Sequence, residues 1–379
     1  MKHPQIAIVR GKFLNRYEMQ AFAPLTRDYS IRAFSSLTPL HDQFAFPLVK
    51  LPSPMDLPNF PYKMPLLNRL MIDAHYLVGL EAKLRNTDLV HTAETYFHFT
   101  QQCLNAKQRG LVRKVIATVW ETIPHNNEGI WGRSSFKKRA LRELDHILAV
   151  TNKAKAALMT EGADPARISV VGASVDTSVF YPDVSKRAHD KLRLRVLFCG
   201  RLEYEKGVVD LLAAARFLAA DPALAQSTLD LHIVGNGTLH DTVIREARHL
   251  GKIWHSTVES ATYDQMPSIY RQADIFVAPS KPTKAWEEQF GMALLEAQAS
   301  GLPIVTTTSG GIPENVGESA VLVSPGDIRS LSAAIKDFVL HPRKRAVFAQ
   351  SARARALAIH DIRVGARKIA KVYKQVLST

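Results

Sequence analysis

The sequence predicts an α/β protein of two domains, each a parallel sheet covered by helices on both faces, with the two sheets facing a central cleft. Three observations carry this. The chain has 379 residues, a natural length for two domains of roughly 150 residues or more. Short β-branched runs alternate with helical periods, which is the pattern of βαβ units. The same plan then starts again after a polar, charged stretch, "DVSKRAHDKLR" at 183–193. That stretch reads as a linker, because domain boundaries fall in exposed polar segments where few contacts cross.

In the first half, "IAIVR" (6–10) opens as a strand. "DLVHTA" (88–93), "KVIATVW" (114–120), "DHILAVT" (145–151) and "RISVVG" (167–172) follow as buried strands. Each is too short for a helix and rich in Val and Ile. Helical periods fill the gaps, over "NRLMIDAHYLVGLEAKL" (68–84) and "YFHFTQQCLNAKQRG" (96–110).

In the second half the strands are "LRVLFCG" (194–200), "LDLHIVG" (229–235), "ADIFVAPS" (273–280), "LPIVTT" (302–307) and "ESAVLVS" (318–324). Helices fall on "GVVDLLAAARFLAA" (207–220) and "MALLEAQAS" (292–300). The expected domains are therefore 1–182 and 194–363, joined by 183–193, with a last helix over 364–379. In such folds ligands lie beyond the strand C-termini, near helix N-termini.

Composition narrows the class. Lys and Arg number 49 against 35 Asp and Glu, a net charge of +14, and both halves are basic. This balance suits an anionic substrate, an anionic membrane surface or nucleic acid. Cys103 and Cys199 are the two cysteines, which is no disulfide framework and no zinc spacing, so a cytoplasmic location is expected. The N-terminus has too short an apolar stretch for a signal peptide, and no apolar run reaches the ~18 residues of a membrane span.

Chemistry concentrates at the strand ends. In "FCGRLEYEKG" (198–207) a strand is followed by Arg201 and Lys206. A guanidinium fork and an ammonium at that place suit a diphosphate, although the loop is no Walker A sequence. "IVGNGTLH" (233–240) gives Gly235 and Gly237, but His240 stands where a third glycine would complete a dinucleotide fingerprint. In "AWEEQFGMALLEAQASGLP" (285–303), Gly291 precedes a helix. The N–H groups of Phe290, Gly291 and Met292 would lack helical partners there and face an anion. Glu296 lies one turn into that helix, where a carboxylate can accept from a vicinal diol, and Glu288 precedes it. "TTTSGGIPENVG" (306–317) adds the Gly310–Gly311 turn.

The order of "GRLEYEKG", "VGNG", "ADIFVAPS", "EQFGMALLEAQASGLPIV" and "GGIPENVG" resembles the donor half of the glycosyltransferase family 4 enzymes, whose fold is GT-B, two Rossmann-like domains. Glu288 and Glu296 match that family's E-x7-E motif. The resemblance covers 145–325 and implies a retaining transfer of a sugar from a nucleotide sugar to a saccharide or lipid-linked acceptor, in cell-surface polysaccharide or glycolipid synthesis. It implies that Glu288, Arg201 and Lys206 act in catalysis. Glu296, Gly291, Met292, Phe290, Gly235 and Val258 would bind the donor, with no metal and no further cofactor. The stretch 252–274 would hold the base, and uridine and guanosine donors both fit. The last helix would cross back to the first domain.

The first half departs from the family pattern. Gly11 stands alone where many members have a Gly-Gly loop. Trp120 and Glu121 stand where many have a His, and Ser174-Val175-Asp176 replaces Gly-Val-Asp. Glu94, Glu121, His125 and Gly11 are therefore acceptor-side candidates, with an ordinary loop histidine an equal reading of His125. The basic stretch "WGRSSFKKRALREL" (131–144) reads equally as a solvated helix and as one lying on the anionic cytoplasmic face of a membrane. Four other readings compete. Another GT-B enzyme, such as a phosphorylase or a nucleotide-sugar epimerase, is one; a phosphorylase would need a pyridoxal phosphate lysine and a longer chain. A dinucleotide oxidoreductase is disfavoured by the broken glycine fingerprint. A non-catalytic binder of sugar nucleotides would keep the same motifs. A nucleic-acid-binding protein rests on charge alone, and none is expected as a partner. The sequence leaves the oligomeric state open.

Overall fold

In the computed structural model the described residues are 3–183 and 193–379. They form two compact units, Met1–Ser174 with Ile362–Thr379, and Val175–Asp361.

The first unit carries strands β1 (Gln5–Val9), β2 (Ser30–Ser35), β3 (Leu48–Lys50), β4 (Thr87–Ala93), β5 (Val112–Val119), β6 (His146–Ala149) and β7 (Ile168–Val170). They make one parallel sheet in the order β3-β2-β1-β4-β5-β6-β7. The second unit carries β8 (Arg193–Cys199), β9 (Thr228–Val234), β10 (Trp254–Glu259), β11 (Ile275–Ala278), β12 (Ile304–Thr307) and β13 (Val321–Val323). Its parallel order is β10-β9-β8-β11-β12-β13. Both are doubly wound Rossmann-like sheets. The winding reverses between β1 and β4 in one and between β8 and β11 in the other, and the crevice at such a reversal is where ligands bind.

The central strands are largely buried because helices cover both faces, and their apolar residues feed the two cores. Ile6, Ile8, Leu89, Ile116 and Leu148 join one core. Val196, Phe198, Leu231, Ile233, Ile275, Val277 and Val305 join the other. The helix Ile362–Ser378 belongs to the first unit, where Ile369, Val372, Tyr373 and Val376 pack into the core. Tyr373 is tied to the buried strand residue His91 by a 2.8 Å bond.

The structure corrects several expectations. The single helix expected over 68–84 is two short ones, Lys63–Leu70 and Leu80–Lys83, separated by irregular chain around Asp73 and His75. Those two polar residues are buried and bonded to each other, 2.9 Å apart, so the local contact outweighs the apolar period. β2, β3 and β10 lie where no strand is expected. β10 alternates buried and exposed residues at the sheet edge instead of forming an apolar run. The segment after Ser174 belongs to the second unit, so the boundary expected at 182 lies too late. Val175 N–H bonds His360 O at 2.8 Å, and the Phe180 ring packs on Tyr270. Likewise the second unit ends at Asp361 rather than 363. The expected linker falls mainly on 184–192, outside the described residues.

The basic helix is present as Arg133–Glu143, but two of its cations turn inward. Arg133 is buried 2.8 Å from Asp73, and buried Lys137 pairs with Glu161. Arg139 and Arg142 both reach Glu143. No helix among the described residues is long and apolar enough to cross a membrane.

Candidate active site

In the second unit the crevice lies between the ends of β8 and β11. Beyond β8 the chain turns through Arg201 into a short turn, Tyr204–Lys206. Gly207 then starts the helix Val208–Ala219 with φ 71°. A Cβ at Gly207 would stand 1.9 Å from Pro279 O, so only glycine lets the β8 and β11 loops cross here. That crossing puts Lys206 beside the residues that follow β11. Lys206 Nζ lies 2.6 Å from Glu288 Oε2 and 4.8 Å from the Trp286 ring centre. Ser280 Oγ donates to the same Glu288 oxygen at 3.0 Å. Lys206 and Glu288 side chains keep 19% and 13% of their surface open, enough to meet a ligand. Arg201 is exposed and 3.2 Å from Glu205, so its guanidinium stands at the rim.

The Gly-Gly turn braces Glu288 from behind. Gly311 N–H donates to Glu288 O at 2.8 Å. A Cβ at Gly310, whose φ is 56°, would meet that oxygen at 2.0 Å. These glycines serve a backbone crossing, and so does Gly235, where a Cβ would lie 1.9 Å from Gly200 O.

Gly291 caps the helix Met292–Ala299 with φ 87°. No acidic residue sits in that first turn and no side chain caps it. The N–H groups of Gly291 and Met292 find no acceptor among the described residues. Aligned free N–H groups at a helix start attract anions. Phe290 is buried, its ring edge-on to His360. Glu296 is 6% exposed and accepts from Tyr270 Oη at 2.8 Å. Burial pushes its carboxyl up to about 7, against the pull of hydrogen bonds from Tyr270 and Tyr263. Burial also holds the Cys199 thiol well above its ordinary value, with the Glu296 charge adding to this. Val258 lies on the edge strand β10 with its side chain against the core.

Lys206, Glu288 and the turn at Gly291 therefore share one neighbourhood, with Glu296 a turn deeper. Ser280, Trp286 and Tyr270 are part of it as well. Ser280 closes the strand motif "ADIFVAPS", and Trp286 stands two positions before Glu288. Tyr270 carries no local signal, since its approach to Glu296 is tertiary.

In the first unit, Glu94 follows β4 with φ 54°, in the left-handed region that costs an ordinary residue strain. It is buried. Its Oε1 accepts from Trp120 N–H at 2.8 Å, while Oε2 has no partner. Burial raises this carboxyl to about 8, and the nearby Glu121 and Glu18 charges add to the effect. Glu121 is committed to its own loop. It accepts from Thr122 and Ile123 N–H and from the Asn126 and Asn127 amides. His125 is exposed, with φ 59° and Nδ1 3.2 Å from Glu128. His125, Glu128 and Glu161 could converge on a cation, but the Lys137 ammonium already stands 3.4 Å from Glu128 and pairs with Glu161. Gly11 has φ 55°, and a Cβ there would press on the Phe99 ring at 3.1 Å. A cavity of about 40 Å³ lies among Arg10, Glu18, Thr118, Trp120 and Ser174, room for about one water.

Comparison with known proteins agrees with this geometry. Residues 183–355 match the model of glycosyl transferases group 1, and residues 26–179 that of glycosyltransferase family 4. A D-inositol 3-phosphate glycosyltransferase of Acidothermus cellulolyticus is 34% identical over 59% of this chain and 53% of its own length. A glycogen synthase of Mycobacterium tuberculosis is 32% identical over 56% and 49%. The match thus spans about half the length of these relatives. A GDP-mannose-dependent alpha-(1-6)-phosphatidylinositol monomannoside mannosyltransferase of Mycolicibacterium smegmatis is 28% identical over 66% and 67%. Among solved structures, Anabaena Alr3699/HepE in complex with UDP and glucose superposes with TM-score 0.74 at 18% identity, over 98% of this chain and 100% of that one. Two Rossmann-like sheets, two family models that between them take in most of the sequence, and these neighbours lead to one conclusion: the chain belongs to glycosyltransferase family 4 and has the GT-B fold.

Proposed function

We propose that the protein transfers a sugar from a nucleoside diphosphate sugar to a saccharide or lipid-linked acceptor, with retention at the anomeric carbon and without a metal ion. The observation that carries this is the meeting of Lys206 and Glu288, 2.6 Å apart, at the sheet's winding reversal beside the open first turn of Met292–Ala299. The anomeric carbon's bond to the diphosphate oxygen breaks, a bond to an acceptor hydroxyl oxygen forms, and the hydroxyl proton is released. Negative charge grows on the diphosphate as it leaves. Lys206, Arg201 and the Gly291 and Met292 N–H groups supply positive potential there, which lowers the barrier. This cationic set does the work a metal would otherwise do. Glu288 accepts from the donor sugar's hydroxyls and orients it, and Glu296 accepts from the ribose diol. Phe290, Gly235 and Val258 shape the donor side. Glu94, Glu121, His125 and Gly11 remain our acceptor-side set, with Glu94 foremost because its Oε2 is unpartnered.

UDP and GDP are the nucleotides we favour, since named relatives and neighbours use or bind one or the other. We place the protein in the cytoplasm, in cell-surface polysaccharide or glycolipid synthesis at the membrane face. The net charge of +14 and the exposed Tyr62, Leu66 and Leu70 support contact with anionic lipid. Failure to sediment with anionic liposomes at low salt would remove that part alone. The reaction itself is tested by calorimetric titration with UDP, GDP and ADP in EDTA, on wild type and Glu296→Ala. Binding of one nucleotide, weakened by the substitution, is expected. Absence of binding by all three would overturn the transferase reading.

A further inference from the structure

The buried polar residue Asn315, in the helix Ile312–Val316 that follows the Gly-Gly turn, is fully enclosed. Its amide Nδ2 donates to Phe290 O at 2.7 Å and to Gly291 O at 3.1 Å. Its Oδ1 accepts from Gln298 Nε2 at 2.8 Å, and Gln298 is equally enclosed. The Asn315 carbonyl in turn accepts from Arg355 Nε at 2.7 Å and from His360 at 3.0 Å. A network this fully satisfied holds one geometry, because any rotation leaves a buried group unpaired.

The geometry has a direct effect on the open turn. A trans peptide is planar, with its C=O and N–H pointing in opposite directions. The Phe290 carbonyl shares its peptide with Gly291 N–H, and the Gly291 carbonyl shares its peptide with Met292 N–H. Holding both carbonyls against Asn315 therefore fixes both N–H groups facing away from it. Glycine adopts the φ of 87° seen at Gly291 without strain but is not confined to it, so the two bonds from Asn315 are what hold the turn there.

We infer that Asn315 is the positioning residue of the phosphate-binding turn: its amide clamps the Phe290 and Gly291 carbonyls so that the Gly291 and Met292 N–H groups stay aimed at the distal phosphate of a nucleoside diphosphate. Gln298 sets the orientation of that amide. The inference rests on the donor-site reading above and adds the residue that builds its anion-binding element. Asn315 touches no substrate, so it acts only through the turn.

The test compares a nucleoside diphosphate with its monophosphate. The diphosphate that wild type binds best, and the corresponding monophosphate, are titrated in EDTA against wild type, Asn315→Ala, Asn315→Asp and Gln298→Met. Loss of the clamp weakens contacts to the distal phosphate alone. Diphosphate affinity is expected to fall by about tenfold in Asn315→Ala, the scale of a charge-assisted hydrogen bond. The fall is larger in Asn315→Asp, whose carboxylate repels both carbonyls. Monophosphate affinity stays within about twofold on the same reasoning. Gln298→Met keeps the volume and removes the donor that orients Asn315, so it shows the same selective loss in smaller measure. It also carries the test if the Asn315 variants do not fold. A fall shared equally by both ligands, or an unchanged ratio between them, overturns the inference and leaves the donor site intact. No diphosphate binding by wild type overturns both.

Discussion

Replacing Glu94 by Gln should make the first unit more stable, by an amount that grows with pH. Glu94 is 6% exposed. Burial raises its carboxyl from the ordinary 4.5 to about 8. Trp120 N–H and the Lys137 charge oppose that rise, while Glu121 and Glu18 reinforce it. A carboxyl whose folded pKa is raised contributes stability that is whole below its unfolded pKa and is lost as pH climbs toward the folded one. Each pH unit in that window costs about 1.4 kcal/mol. Between pH 5 and 8 wild type should therefore lose about 3 kcal/mol more than the Gln variant. Gln keeps an oxygen for Trp120 N–H, so near pH 5 the two proteins should lie within about 1 kcal/mol. The assay is calorimetric unfolding of both proteins at pH 5, 6, 7 and 8, following the transition of the first unit. Parallel stability curves across that range would refute the reasoning, because they would mean that Glu94 ionises as easily folded as unfolded.

Lys206→Met should lower kcat/KM by about 10²–10³ through loss of charge beside the leaving diphosphate. Circular dichroism and melting temperature should be little changed. Nucleoside diphosphate affinity should fall as pH drops through about 7, where the Glu296 carboxylate takes up its proton. The loss approaches tenfold per unit, and Glu296→Gln should be weaker and flat with pH when titrated from 6 to 8.5. Gly207→Ala should destabilise the second unit by more than about 3 kcal/mol, since its Cβ would overlap Pro279 O at 1.9 Å. Denaturant unfolding would show this as a lower midpoint, and an unchanged midpoint would mean that the two loops can part.

Most strands were legible because central parallel strands are apolar on both faces. β4 and β9 show this plainly, "DLVHTA" and "LDLHIV" standing out from their flanks. β10, "WHSTVE", was not legible, since an edge strand alternates and looks like a polar loop. The helix expected over 68–84 failed for another reason. Its period is real, but Asp73 is bonded to His75 and Arg133, and a buried acid held by an imidazole and a guanidinium fixes the chain locally. On the donor side, Glu288, Lys206 and Glu296 could be read from motif order. Tyr270 and Asn315 could not, because their roles come from contacts 26 and 25 positions along the chain. The basic helix shows the opposite limit. Charge in a sequence does not say which way a side chain points, and Arg133 and Lys137 point inward.

The placement of Ile362–Ser378 in the first unit bears on how the protein comes into being. A chain is made from its N-terminus, and domains tend to fold as they emerge. Here the earlier unit lacks one wall of its core until the later unit has been synthesised. Until then the buried His91 has no Tyr373 hydroxyl to bond. The nascent sheet meanwhile exposes the apolar surface that Ile369, Val372 and Val376 later cover. The second unit is thus an insertion in the sequence of the first, whose core has all its walls only once Ile362–Ser378 has been made.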